Sequence, residues 1–151
     1  MVFKGNEVKE NLNTNTVVKE IRSDAEVQVF NKLTLAIFEM PPEWEAGFGE
    51  FNRESIQKGW RFYLGYVGGK PVGTCALFSS GKVGGIFNVG TLPSYRKQGI
   101  GTALTLHALR DSRDEGNEVH TLQAEHGGNA EHLYKKNGFT IDHTWNFSPR
   151  K

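Results

Sequence analysis

The chain has 151 residues, a net charge of +1 and one cysteine, Cys75. That length suits one domain with a real core, and the near-zero charge gives no pull toward nucleic acid or an anionic membrane. A lone thiol excludes a disulfide framework, no run approaches the ~18 apolar residues of a membrane span, and Met1-Val2-Phe3-Lys4-Gly5-Asn6 lacks the apolar core of a secretory leader, so the expected location is the cytoplasm.

Residues 1–15 are polar and rich in Asn, Glu and Lys, and are expected to form a flexible tail ahead of a domain spanning 16–151. Thr16-Val17-Val18-Lys19-Glu20-Ile21 reads as a first strand from its β-branched residues. Ser23 or Asp24 can cap a helix over 25–40, whose Val27, Val29, Phe30, Leu33, Ile37 and Phe38 make one buried face. Pro41-Pro42 ends it, and a second helix is expected from Trp44 to Lys58, closing at Gly59. Large residues then alternate along 60–67, a strand that Gly68-Gly69 turns back into 71–78. A turn at Ser79-Ser80-Gly81-Lys82 leads to a strand over 83–91, which completes an antiparallel meander. Cys75 sits mid-strand with no neighbouring histidine or charge and reads as core, not nucleophile.

The stretch Val89 to Leu104 organises the chain. Pro93 cannot donate to a ladder, so the strand stops there. Gly99 and Gly101 let a ligand approach the backbone, and Ile100, Ala103, Leu104 and Ala108 recur at helical spacing. The free amides and positive dipole of that helix start suit a phosphate, and Arg96 and Lys97 add two cations beside it. The loop is expected to hold a pyrophosphate. A dinucleotide fingerprint would need Gly or Ala where Leu104 stands. A nucleotide P-loop fails because Gly69-Lys70 and Gly81-Lys82 are followed by Pro71 and Val83.

The loop helix is expected to close at Gly116, with His107 on or near its buried stripe. A fifth strand over 119–124 then pairs in parallel through a right-handed crossover. Asn129 can cap a short helix to Lys136, and Phe139 to Phe147 alternates as a half-buried final strand. The five histidines show no metal-binding spacing, so no metal is expected.

Two blocks carry a resemblance. Pro93-Ser94-Tyr95-Arg96-Lys97-Gln98-Gly99-Ile100-Gly101 resembles the Arg/Gln-x-x-Gly-x-Gly/Ala loop of the GNAT superfamily of N-acetyltransferases, and Leu133-Tyr134-Lys135-Lys136-Asn137-Gly138-Phe139 resembles that family's later Leu-Tyr-x-x-x-Gly-Phe. The resemblance covers roughly Trp60 to Phe147. It implies an α/β (α+β) domain: a mixed, mostly antiparallel sheet of six to seven strands with about four helices. It also implies acetyl-CoA as co-substrate and a small-molecule or peptide amine as acceptor, and it leaves a homodimer open.

Site residues follow from the resemblance in the same way. Val89, Gly90 and Thr91 would bond pantetheine and the acetyl carbonyl, with Gly90 easing a bulge. Amides of Lys97, Gln98, Gly99, Ile100, Gly101 and Thr102 would hold the pyrophosphate, with charge from Arg96 and Lys97. Asn129 would reach pantetheine, Trp44 and Asn88 would border the acceptor, and Tyr134 would protonate the departing sulfur. The strand before the loop offers only Phe87 and Asn88, so the nearest base candidates are Glu125 and His126, with Glu43 and Glu45 as others; Glu125 is the expected one. A CoA-binding sensor, or the silent half of a tandem enzyme, is the alternative.

Overall fold

Ser23 caps helix α1 (Asp24–Ile37): its hydroxyl accepts from the Glu26 amide at 3.2 Å, and the Glu26 carboxylate accepts from the Arg22 amide at 3.0 Å. The helix stops at Ile37, a turn earlier than its apolar pattern suggested. Glu39 takes a left-handed φ of 52° before the prolines, so Phe38 leaves the helical stripe. A short 3-10 turn, Pro42–Trp44, leads into α2 (Glu45–Gln57). The computed structural model describes residues 1–5, 7–9 and 15–145.

Six strands form one mixed sheet. They are β1 (Val2–Phe3), β2 (Thr16–Glu20), β3 (Arg61–Val67), β4 (Lys70–Ser80), β5 (Val83–Thr91) and β6 (Val119–Thr121), and they lie in the order β1-β6-β5-β4-β3-β2. Strands β3 to β5 are the expected antiparallel meander, β2 joins it antiparallel to β3, and α3 (Ile100–Asp114) crosses over to make β5 and β6 parallel. Helix α4 (Asn129–Lys136) follows. Two cores sandwich the sheet. Val27, Phe30, Leu33 and Ile37 of α1 pack on Phe62, Leu64 and Ala76. On the other face Ile100, Leu104 and Leu109 of α3, with Tyr134 of α4, pack on Tyr63, Val72, Leu77 and Ile86.

One close fit fixes the parallel pair. A Cβ on Gly84 would lie 1.9 Å from Ser112 Oγ, so α3 presses its serine where the strand has no side chain. That hydroxyl also meets His120 Nδ1 at 2.8 Å and accepts from Asn117 at 3.0 Å, tying α3 to β6.

The far edge of the sheet departs from expectation. Residues 1–15 were expected to be a tail, yet Val2 and Phe3 form β1, antiparallel to β6 in the register Phe3↔His120. Phe3 is 3% exposed, between the rings of His120 (5.9 Å) and Phe139 (5.5 Å). Phe3 docks the segment together with Met1 and Val8, which pack on the same core, and with backbone bonds from Met1 to Leu122 and from Val2 to Thr140. The expected final strand is reduced to a single bridge, Val2↔Thr140, because β1 already holds the edge of β6. Residues 141–145 form no strand, and 146–147 lie outside the described residues. Strand β6 ends at Thr121, not 124, because the chain turns away there.

Candidate active site

The site is built from an interruption and a divergence. The register of β4 against β5 slips by one residue between Thr74↔Gly90 and Ala76↔Phe87. Asn88 absorbs the extra residue with φ 55°, and its carbonyl accepts from Thr74 Oγ1 at 2.8 Å. The bulge therefore centres on Asn88. Gly90 answers a different need: a Cβ there would lie 2.5 Å from Ile37 and 3.0 Å from Phe38, so the end of α1 rests on bare backbone.

On its other side β5 pairs with β6 only from Val83↔Val119 to Gly85↔Thr121. Beyond that pair β5 continues to Thr91 with no strand paired to it on that side among the described residues, and β6 ends at Thr121. The opening runs beside Val89, Gly90 and Thr91, so the main-chain groups of this stretch that point away from β4 have no ladder partner there.

The glycine loop closes the end of β5. A 3-10 turn, Pro93–Tyr95, follows the strand, and Gly99 then adopts φ 79° as the residue that starts α3. No side chain caps this helix, and its first internal bond runs from the Ala103 amide to the Gly99 carbonyl at 3.0 Å. The amides of Ile100, Gly101 and Thr102 thus lack intrahelical partners. Gly101 is informative because the protein itself does not require it. A Cβ there would meet only Leu133, at 3.9 Å, so the missing side chain leaves open space beside the free amides. Lys97 is also left-handed, at φ 62°, and exposed. Arg96 folds its Nε onto the Thr91 carbonyl at 3.2 Å, which ties the loop to the strand end.

Tyr134 is 5% exposed and shares a core cluster with Ile100, Val89 and Cys75. Burial, with the Cys75 thiol nearby, raises the phenol well above its ordinary value, so it carries its proton at any working pH. Cys75 is fully buried, and burial pushes its thiol up to about 12, which removes it as a nucleophile.

Beside Phe87 lies a cavity of about 750 Å³ between β5, the chain after β6, and residues 141–145. Its apolar lining includes Phe87, Leu122, Ile141 and Trp145. Among the described residues its charged side chains are Glu125, Glu131 and Asp142, with no lysine or arginine, and Met1, whose terminal ammonium donates to the Leu122 carbonyl, also lines it. Phe87 is 40% exposed and belongs to a ring cluster, with Trp60 at 5.2 Å and Trp60 stacked on Phe78 at 4.9 Å.

The structure thus brings Val89, the start of α3 and Tyr134 together, and sets Glu125 on the cavity wall. Trp44 (51% exposed) and Asn88 lie outside the cavity lining, and Asn129 is the exposed first residue of α4, whose cap position belongs to Gly128. Asn129 therefore does not cap its helix as expected. Glu131 was not anticipated: its side chain is 8% exposed, and it bonds His126 Nδ1 at 3.0 Å, the Gly127 amide at 3.2 Å and Lys135 at 2.8 Å. These partners hold its carboxyl well below the usual carboxylate range. The pair is five residues apart and closes only because Gly127 turns with φ 75°, so no periodicity could reveal it. Among the described residues no group of His, Cys, Asp and Glu could hold a metal, and no helix is long and apolar enough to cross a membrane.

The arrangement has known counterparts. A sequence model of the Acetyltransferase (GNAT) family matches residues 24–139. No curated protein matches the chain in sequence. Among solved structures, a Trypanosoma brucei acetyltransferase is similar with a TM-score of 0.72 and 22% identity, covering 89% of this chain and 99% of that one. The structure of AAC(6')-Iy with a CoA-S-monomethyl-acetylneamine bisubstrate analogue superposes at 0.73 with 14% identity, over 91% and 99% of the two chains. A predicted acetyltransferase from Clostridium acetobutylicum, solved with acetyl-CoA, gives 0.64 with 18% identity over 88% and 95%. With the family match spanning both the glycine loop and the Tyr134 block, the chain belongs to the acetyltransferase (GNAT) family.

Proposed function

We propose that this protein transfers the acetyl group of acetyl-CoA to a primary amine of a small molecule or peptide. The observation that carries the reading is the uncapped start of α3, with empty space at Gly101, set against the free edge of β5. Acetyl-CoA would bring a thioester whose carbonyl an amine attacks directly. The amides of 100–102 would bind its diphosphate, with Lys97 adding charge. Main-chain groups of Val89, Gly90 and Thr91 would align the pantetheine arm as a strand aligns its neighbour, and an amide there would steady charge on the carbonyl oxygen. Tyr134, kept protonated by burial, would donate to the leaving sulfur. Glu125 on the cavity wall, with the other carboxylates there, favours a cationic acceptor. The buried, reduced thiol of Cys75 suits the cytoplasm as the location.

The test is thiol release from acetyl-CoA with a panel of primary amines, alongside acetyl-CoA binding by calorimetry. Tyr134→Phe should bind acetyl-CoA as the parent does and lose about 100-fold in kcat. Gly101→Glu should stay folded and lose binding, because its carboxylate would occupy the phosphate position. A folded Gly101→Glu variant with unchanged affinity would move the ligand elsewhere. A non-catalytic CoA sensor is the second reading, favoured by the absence of a strong base on β5, whose side chains before the glycine loop include only Phe87 and Asn88 as candidates. It predicts tight binding with no thiol release for any amine.

A further inference from the structure

The acetyl-transfer reading leaves one proton unassigned. A protonated amine must lose a proton before or as its nitrogen attacks, and β5 supplies no group to take it. Glu125, the base expected from the sequence, is exposed on the cavity wall, with no side-chain hydrogen bond or ion pair among the described residues. Its neighbour His126 is held. The Glu131 carboxylate sits 3.0 Å from His126 Nδ1 and is itself anchored by the Gly127 amide at 3.2 Å and the Lys135 ammonium at 2.8 Å.

The chemistry of that contact sets the tautomer. An ionised carboxylate can only accept, so the imidazole must present Nδ1–H to it. Nε2 is then left with its lone pair, on the side of the ring away from Glu131. The ring is 68% exposed on the side-chain scale and lines the same cavity as Phe87. Glu131 has the opposite character: 8% exposed, in the first turn of α4, with three donors around its two oxygens. A buried carboxylate behind and an open imidazole in front make a directed proton acceptor.

Resting on the acetyl-transfer reading, we propose that His126 is the general base of this enzyme and that Glu131 is the residue that positions it. Nε2 takes one proton from the acceptor ammonium, the freed nitrogen pair forms the bond to the acetyl carbon as the carbonyl π pair moves onto oxygen, and that pair then re-forms the carbonyl as the carbon–sulfur bond breaks and Tyr134 gives its proton to the sulfur; the second proton of the nitrogen passes to the Tyr134 oxygen and restores the phenol. The imidazolium then gives its proton to water. Glu131 touches the ring, with Lys135 bonded to it in turn, and the other titratable or charged groups lining the same cavity are Glu125, Asp142, His143 and the Met1 ammonium. The carboxylates among them attract the ammonium that feeds the ring.

Two measurements decide this. Nitrogen NMR on the full chain at alkaline pH should show the His126 ring as Nδ1–H, and Glu131→Gln should abolish that preference. A ring in the Nε2–H form in the parent overturns the proposal without touching the reading of acetyl-CoA binding. Thiol release from acetyl-CoA with spermidine, tyramine and glycyl-phenylalanine amide is then followed from acid to alkaline pH. His126→Gln should lower kcat/KM about 100- to 1,000-fold and erase the acid limb of the profile, with acetyl-CoA affinity unchanged. Glu131→Gln should lower kcat about tenfold, leave KM within twofold and shift that limb, whereas a purely structural role would lower activity without moving it. Glu131→Asp should recover part of the loss. If His126→Gln keeps the parent's pH profile, or the parent binds acetyl-CoA and acetylates none of the three amines, the base assignment is wrong. If the parent does not bind acetyl-CoA at all, the earlier reading fails instead.

Discussion

Gly84 and Gly90 are adjacent in kind but not in cause. At Gly90 the space belongs to Ile37 and Phe38 of α1; at Gly84 it belongs to Ser112 of α3. The sequence reading treated Gly90 as a place where a strand bends, because a lone glycine in a strand usually marks a bulge. The bulge lies at Asn88, a residue that enters the left-handed region without being glycine. Which glycines are packed against, and which are open to a ligand as Gly101 is, depends on helices distant in sequence. No local pattern carries that information. Gly84→Ala would drive a methyl group into Ser112 Oγ, and it should cost about 1–3 kcal/mol of stability. Urea denaturation checks this, and a double variant with Ser112→Ala should cost less than the two single changes added together.

At the scale of elements, the four helices and the meander were legible because each bears its own period and its own stop. Ser23 opens α1, and Gly116 ends α3 with φ 90°. The loop into α3 was legible as chemistry, since its glycines and cations stand together in sequence. The sheet edge was not. Residues 139–147 alternate as well as any strand in the chain, yet the edge of β6 is taken by two residues from the other terminus. Alternation reports that a segment has one apolar side; it does not report which competitor reaches the edge first. The docking of β1 rests in part on Phe3, which fills the space between His120 and Phe139. Phe3→Ala should cost about 3 kcal/mol. It should also expose the start of the chain to limited proteolysis while α3 and the glycine loop stay protected.

The whole molecule stores its sensitivity to acid in a few buried contacts. His120 is 2% exposed, and burial, with Arg113 nearby, holds its ring below the usual 6.5. The ring is neutral in the fold, so the unfolded chain binds the extra proton. Stability is therefore full above about 6.5 and is lost as pH falls through that value. Glu20 behaves likewise lower down. Its bond to Arg61 at 2.6 Å holds the carboxyl below 4.5, so its contribution is present above that pH and lost beneath it. The urea midpoint should thus fall in two stages, one as pH drops below about 6.5 and one as it drops below 4.5, and His120→Gln should flatten the upper stage alone. Arg61 links β2 and β3 to α3 through Glu20, Asp111 and Glu115, so the lower stage should loosen that end of the sheet first.

The parting of β5 from β6 leaves a seam in the middle of a sheet, where other proteins keep their slowest-exchanging amides. In this fold those of 87–91 that point away from β4 have no paired strand beside them, so hydrogen–deuterium exchange should be fast at the centre and slow at the flanks. A molecule lying in the seam would act as the absent strand, and it would announce itself as protection spreading along β5 and into α3.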